Sequence, residues 1–235
     1  MAGHGWDVAF SHFGEEKEAA EVLALINAAG RQALSVRCDA GVKDEVWFFF
    51  AAVMKSFGRA PDLLVNNAGV QTWASLLELA EADWDRVIRT NLKGCFLNTQ
   101  RAAQLMVEHG QRGSIVNIGS ACNKVPFPRL VDYTASKGGI EQFTKVSAVE
   151  LGPYGIRVNC VAPGAIEHER TKLEAPEYAA TWARLTPLQR VGVPADVAKV
   201  VYFLATDPAE FVTGQTIYVD GGAFTMPNWP YAQPK

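Results

Sequence analysis

Apolar, largely β-branched runs alternate with amphipathic stretches along almost the whole chain, and that alternation restricts the fold more than any other feature. The strand-like runs are Asp7–Ser11, Ala33–Cys38, Leu63–Asn66, Ser114–Ile118, Arg157–Val161 and Thr216–Val219. Helical periodicity fills the gaps at Glu15–Ala29, Lys43–Phe57, Ala82–His109, Tyr133–Leu151 and Pro194–Ala205. The runs are nearly continuous in apolar residues, as expected of parallel strands covered by helices on both faces. Strand–helix alternation of this kind predicts right-handed crossovers and an α/β, doubly wound parallel sheet. No repeat, low-complexity segment or linker interrupts it, so one domain is expected over residues 1–235, with an irregular tail at 223–235 carrying Pro227, Trp229, Pro230 and Tyr231.

Composition narrows the function. Apolar residues make up 49 % and charged residues 20 % of the 235, ordinary for a globular protein. Net charge is −3 and the basic residues are scattered, so neither a nucleic-acid nor an anionic-membrane partner is expected. No apolar run approaches the roughly 20 residues of a membrane span, and no signal peptide is evident. Cys38, Cys95, Cys122 and Cys160 form no Cys-x-x-Cys pair, and the four histidines lack zinc-ligand spacing. The expectation is a reduced, cytoplasmic protein with no metal site.

In Tyr133-Thr-Ala-Ser-Lys137 a phenol and an ammonium lie four residues apart, on one face of a helix. A neighbouring ammonium favours phenolate and is expected to lower the tyrosine's pKa, suiting it to acid–base work on a hydroxyl or carbonyl. The run Ser114–Ile118 ends in Gly119-Ser120, placing a hydroxyl at the carboxyl edge of a strand, where open α/β sheets bind ligands. Ser120 there is suited to hydrogen-bond a carbonyl as negative charge develops on it. Asn66-Asn67-Ala68-Gly69 leaves another buried run with small residues, where a ligand can pass close to the backbone. Asn91 puts an amide inside an apolar helix, where propensity would not select it.

Together these residues resemble the short-chain dehydrogenase/reductase family, from Asp7 to Gly222. The landmarks are Asn67-Ala68-Gly69, Asn91, Ser120, Tyr133, Lys137, Pro163-Gly164 and the terminal Val219-Asp220-Gly221-Gly222; Ser120 precedes Tyr133 by the family's common spacing of thirteen. The resemblance implies a Rossmann-type fold and an NAD(P)-dependent enzyme interconverting a secondary alcohol and a carbonyl of a small-molecule substrate. It makes Tyr133 the acid/base and Ser120 the residue that polarises the carbonyl. Lys137 would tune Tyr133 and hold the nicotinamide ribose, and Asn91 would position a water in the proton relay. Asp39 would meet the adenine, Asn67, Ala68 and Gly69 the adenosine ribose, and Pro163, Gly164 and Ile166 the nicotinamide.

One family element is absent. The chain has neither G-x-G-x-x-G nor the family's T-G-x-x-x-G-x-G, and Gly3 and Gly5 precede the first strand-like run, resembling the turn that ends a helix. The match begins at the family's second strand, so the sheet is expected to lack its first strand and first helix, as in a shortened reading of the gene or a truncated product. In the family order 3-2-1-4-5-6-7 that strand is central. Its absence leaves two interior edges facing each other, unless the second and fourth strands close up and pair.

Ser11-His12-Phe13 ends the first run without the acid that favours NAD, and no arginine accompanies it in sequence; NADP is slightly preferred over NAD, with His12 among the cofactor-binding positions. The stretches Lys124–Pro128 and Pro163–Ile166 resemble the glucose 1-dehydrogenases of the family, implying a sugar or polyol substrate. His168 stands where the family usually has Thr, in a charged stretch with Glu167 and Glu169. The alternatives are a 3-oxoacyl-carrier-protein reductase-like enzyme and a truncated, non-catalytic member that binds no cofactor. The family resemblance also implies a homotetramer, with helices Ala82–His109 and Tyr133–Leu151 making the dimer contact and the last strand and tail the second interface.

Overall fold

The computed structural model describes residues 1–225; the remainder of the expected tail lies outside the described residues. Six parallel strands form: β1 (Val8–His12), β2 (Ala33–Arg37), β3 (Leu63–Asn66), β4 (Gly113–Ile118), β5 (Ile156–Pro163) and β6 (Thr216–Val219). Each lies on one of the apolar runs, because burial on both faces demands the uninterrupted hydrophobicity the sequence carries. The connecting helices are α1 (Glu16–Ala28), α2 (Lys43–Phe57), α3 (Glu81–Val87), α4 (Gly94–Glu108), α5 (Val131–Leu151), α6 (Glu169–Glu174), α7 (Tyr178–Leu185) and α8 (Pro194–Ala205). The fold is a Rossmann-like α/β arrangement of parallel strands and helices.

The strands do not form one continuous sheet. β1 pairs with β2 as a two-stranded unit, while β3, β4, β5 and β6 form a second sheet in that order. β1 and β3 do not close up on each other. An open slot of about 1290 Å³ separates them, lined by Ala9 and Ser11 on one side and Leu63 and Val65 on the other. Both sheets nonetheless share a core. Ala9, Leu34 and Val36 of the smaller sheet and Leu64 of the larger pack on a cluster containing Val46, Phe49, Phe50 and Val53 of α2 and Leu97, Ala102 and Leu105 of α4. On the other side of the larger sheet, Val201 and Leu204 of α8 pack on Val116 and Val161.

The expected helix Ala82–His109 is three pieces. Between α3 and α4 the backbone opens into a π-helical turn, Ile88–Lys93, centred on Asn91. The buried amide is the physical reason: its side chain bonds Val70 and Ser136 outside the helix instead of facing solvent. Such turns are rare and concentrate at functional sites. α6 and α7, six and eight residues long, are too short to have been read as helices.

Among the described residues no helix is long and apolar enough to cross a membrane. All four cysteines are free and buried. Burial pushes the thiols of Cys38 and Cys160 up to about 11 and that of Cys95 up to about 12, so at neutral pH they are packing groups rather than thiolates.

Candidate active site

The carboxyl ends of β3, β4 and β5 carry most of the residues singled out by sequence. Asn91 is fully buried in the π turn. Its Oδ1 accepts from the Val70 N–H (2.8 Å), and its Nδ2 donates to the Val70 carbonyl (2.9 Å) and to Ser136 Oγ (3.0 Å). Ser136 Oγ in turn donates to the Tyr133 carbonyl at 2.7 Å, so Asn91 is tied to the first turn of α5. Ser136, inside the Tyr–Lys motif, was not singled out by sequence; only its position on the Lys137 side of α5 could have drawn attention to it.

Lys137 is buried, and its Nζ donates to the Ile118 carbonyl at the end of β4 (2.7 Å). It lies 5.4 Å from the centre of the Tyr133 ring. The Ser120 hydroxyl accepts from the Cys122 N–H at 3.2 Å and lies near enough to the Tyr133 phenol to favour its ionised form. Gly69 completes the cluster: a Cβ there would fall 3.6 Å from Asn91 Oδ1 and 3.7 Å from Lys137 Nζ, so glycine leaves that contact open. The structure therefore brings Gly69, Asn91, Ser120, Tyr133 and Lys137 into one place.

The electrostatics differ from the expectation drawn from spacing. Burial pushes the Tyr133 phenol above its ordinary value, with the nearby Ser120 hydroxyl opposing in part. Burial also lowers the Lys137 ammonium. Desolvation of the phenol is the main cause, while the Lys137 ammonium is engaged with the Ile118 carbonyl.

Pro163 ends β5 opposite Val219 of β6. Gly164 follows where no side chain fits: a Cβ would sit 2.6 Å from Asp220 Cβ and 2.8 Å from its Cα. Ile166 bridges to Gly192, which fixes the backbone after β5. His168 is exposed ahead of α6, with its N–H donating to Thr171 Oγ1 at 2.7 Å.

His12 and Asp39 lie across the slot, in the smaller sheet. His12 ends β1 and is paired in register with Arg37, whose guanidinium stacks over Phe13 at 4.9 Å. The register thus supplies the arginine that the linear sequence around His12 lacked. Asp39 is buried, accepting from the Gly41 N–H (2.9 Å) and paired with Arg89 of the π turn at 3.3 Å. Asn67 and Ala68 line the slot and are exposed.

Two groups escaped sequence reading. Beneath the site, Asn66 Nδ2 donates to Asn117 Oδ1 (2.8 Å) and Asn117 Nδ2 to Thr144 Oγ1 (2.9 Å), a buried chain linking β3, β4 and α5. A polar residue inside the apolar run Ser114–Ile118 was the available signal. The second is an aromatic cluster: Phe127 contacts Trp182 (6.1 Å between ring centres) and Phe224 (5.4 Å), and Tyr178 contacts Trp182 at 6.2 Å. It joins the segment before α5 to α7 and the turn after β6.

A nicotinamide dinucleotide, the cofactor implied by the family, finds a fit at one end of this region only. Gly69, Lys137 and the Pro163–Ile166 backbone leave room and polar groups at the nicotinamide end. At the phosphate end the nearest strand–helix turn leads into α1 with Glu15, Glu16 and Glu18, which oppose an anion at a helix N-terminus.

Comparison with known proteins accords with this geometry. The family profile described as enoyl-(acyl carrier protein) reductase matches residues 1–224. The chain is 37 % identical over 235 residues to 3beta-hydroxysteroid dehydrogenase 1 of Eggerthella lenta, covering 99 % of this chain and 90 % of that protein. It is 38 % identical over 224 residues to a 3-oxoacyl-acyl-carrier-protein reductase of Staphylococcus aureus, covering 95 % and 90 %. A crystal structure described as a short-chain alcohol dehydrogenase of Sinorhizobium meliloti superposes with a TM-score of 0.89 at 34 % identity, over 95 % of this chain and 88 % of that one. One described as a gluconate dehydrogenase of Agrobacterium tumefaciens gives 0.89 at 33 %, over 96 % and 89 %. This chain belongs to the short-chain dehydrogenase/reductase family and is an oxidoreductase.

Proposed function

We propose that the chain interconverts a secondary alcohol and a carbonyl using NAD(P), with Tyr133 as the proton donor and acceptor. The observation that carries this reading is the convergence of Ser120, Tyr133, Lys137 and Asn91 at the carboxyl edge of one sheet. When bound, the cofactor supplies or takes up the hydride. Ser120 orients the substrate oxygen and hydrogen-bonds it as charge builds. Tyr133 gives its phenolic proton to that oxygen in reduction and takes it back in oxidation. Lys137 holds the nicotinamide end of the cofactor together with Pro163, Gly164 and Ile166, and Asn91 fixes the Val70 backbone and the first turn of α5 around them.

NADP is preferred over NAD in this reading. Arg37 beside His12 offers a cation for a 2′-phosphate, and the last residue of β1 is His12 rather than an acid. For substrate we propose a sugar or polyol, supported by the likeness to the gluconate dehydrogenase and by aromatic rings that can stack on the C–H face of a sugar. A 3-oxoacyl substrate is the second reading, favoured by the Staphylococcus aureus relative. A homotetramer is proposed too: Phe96 of α4 and Val146 and Val149 of α5 are exposed apolar residues on the two helices concerned.

Because the phosphate end is ill-suited, cofactor affinity should be weak. Thermal-shift titration with NADPH and NADH is expected to give saturable stabilisation with half-saturation of the order of 1 mM, NADPH being the tighter. No protection by either at about ten times that concentration overturns the enzymatic reading for this chain.

The raised Tyr133 pKa sets the pH dependence. Oxidation needs the phenolate, whose fraction is small at pH 7 and climbs with pH. Initial rates of alcohol oxidation should therefore rise by up to tenfold per unit between about pH 7 and pH 10. Carbonyl reduction uses the protonated form and should stay nearly flat there. A bell centred near neutrality in the oxidative direction contradicts this.

A further inference from the structure

On the reading of Tyr133 as the acid–base group, we infer that Asp132 is a positioning residue of the reaction. Its carboxyl group holds the Tyr133 backbone and so sets where the phenol stands beside Ser120.

The start of α5 calls for a side chain in this role. The first N–H groups of a helix have no partner within it, and α5 opens at Leu130, whose side chain makes no capping bond. Thr134 N–H meets the Leu130 carbonyl at 2.8 Å. Tyr133 N–H lies one residue earlier, ahead of the helix's own ladder. Asp132 Oδ1 serves it instead, accepting from Tyr133 N–H at 2.7 Å. On the other side of the same residue the Tyr133 carbonyl accepts from Ser136 Oγ at 2.7 Å, and Ser136 is held by Asn91 Nδ2 at 3.0 Å. Both polar groups of the Tyr133 backbone are therefore clamped by side chains, one by Asp132 and one through Ser136 from the π turn.

The backbone leading into the clamp is fixed as well. Arg129 takes a left-handed conformation (φ 66°), which costs a residue with a side chain energy and persists where the surroundings impose it. Its carbonyl accepts from Ala74 N–H at 3.0 Å, and Leu130 is bridged to Ala74. The segment after β3 and the segment entering α5 are thus joined just ahead of Asp132.

Stability alone does not account for an aspartate here. Asp132 is fully buried, and its second oxygen, Oδ2, has no hydrogen-bond partner among the described residues. A buried acceptor without a partner opposes folding, and the helix N-terminus offsets that only in part. A residue kept against its own folding cost is characteristic of a place where geometry serves chemistry. The geometry at stake is that of the phenol, which lies beside Ser120 and Cys122 of the turn after β4 and Lys137 of α5.

The test uses the whole chain and two substitutions. Asp132→Leu keeps approximate volume and removes both oxygens, whereas Asp132→Asn keeps an acceptor for Tyr133 N–H. Thermal melts are read beside hydrogen exchange at the Tyr133 amide and an NMR titration of isotope-labelled tyrosine, with the Tyr133 signal identified by its loss in Tyr133→Phe. Asp132→Leu is expected to melt close to the parent, because the orphaned oxygen goes together with the bond. Its Tyr133 amide should exchange at least about tenfold faster, and its phenol should titrate nearer the ordinary tyrosine range as water reaches the loosened turn. Turnover of a secondary alcohol should fall by about 10- to 100-fold at unchanged KM. Asp132→Asn should recover most of each loss. Unchanged exchange and titration in Asp132→Leu overturn the inference, as does an Asp132→Asn variant that behaves like Asp132→Leu. Unfolding of Asp132→Leu makes Asp132 a structural residue and overturns it too. A parent chain without turnover overturns the acid–base reading and the inference with it, whereas a parent that turns over beside unaltered variants removes Asp132 alone.

Discussion

Tyr133→Phe should lower turnover by about 10²- to 10⁴-fold in either direction while leaving the fold and NADPH protection intact. The phenol oxygen is the group proposed to exchange a proton with substrate, and phenylalanine keeps the ring that lies 5.4 Å from Lys137 Nζ. What is lost is the hydroxyl beside Ser120. Steady-state rates with a panel of secondary alcohols and sugars, beside a thermal melt with and without NADPH, separate the two effects. A variant that turned over as fast as the parent would remove Tyr133 from the chemistry. One that also lost NADPH protection would assign it a binding role instead.

The second large effect is expected at Asn91. Asn91→Leu keeps approximate volume but leaves the Val70 N–H and C=O without their side-chain partners inside the protein and removes the donor to Ser136 Oγ. Buried polar groups stripped of partners cost about 1–3 kcal/mol each, so a loss of about 3 kcal/mol is expected from urea unfolding. The π turn exists to present this amide; without it the segment Ile88–Lys93 has less reason to depart from α-helical bonding. Asn91→Asp tests the donor side, since a carboxylate still accepts from Val70 N–H but cannot donate to the Val70 carbonyl. If the Leu variant unfolds at the same urea concentration as the parent, the network contributes nothing net.

These two residues also mark what could be read from the sequence. All six apolar runs became strands and Tyr133 and Lys137 fell on one helix, because burial on two faces and helical spacing are written directly in residue order. Asn91 was visible as an amide out of place. That it opens a π turn was not, since the cause is the Val70 backbone, twenty-one residues away. Arg37 became relevant only through its register with His12, a pairing between strands. The upward shift of Tyr133 was hidden for the same reason: its main cause is burial, which tertiary packing rather than the spacing to Lys137 decides. α6 and α7 were missed because six and eight residues are too few to establish a helical period, and in α7 contacts such as Phe127–Trp182 help decide the conformation.

The division of the strands into a pair and a quartet bears on how the molecule comes apart. A two-stranded unit has little stability of its own, and β1–β2 is held by the helix layer rather than by a neighbouring strand. Residues 8–37 then form a separate cooperative unit able to open while β3–β6 stay folded. Unfolding would proceed in two steps, so one free energy does not describe the whole chain. The loss ascribed to Asn91 belongs to the second step, because its partners Val70 and Ser136 lie in the half that opens last.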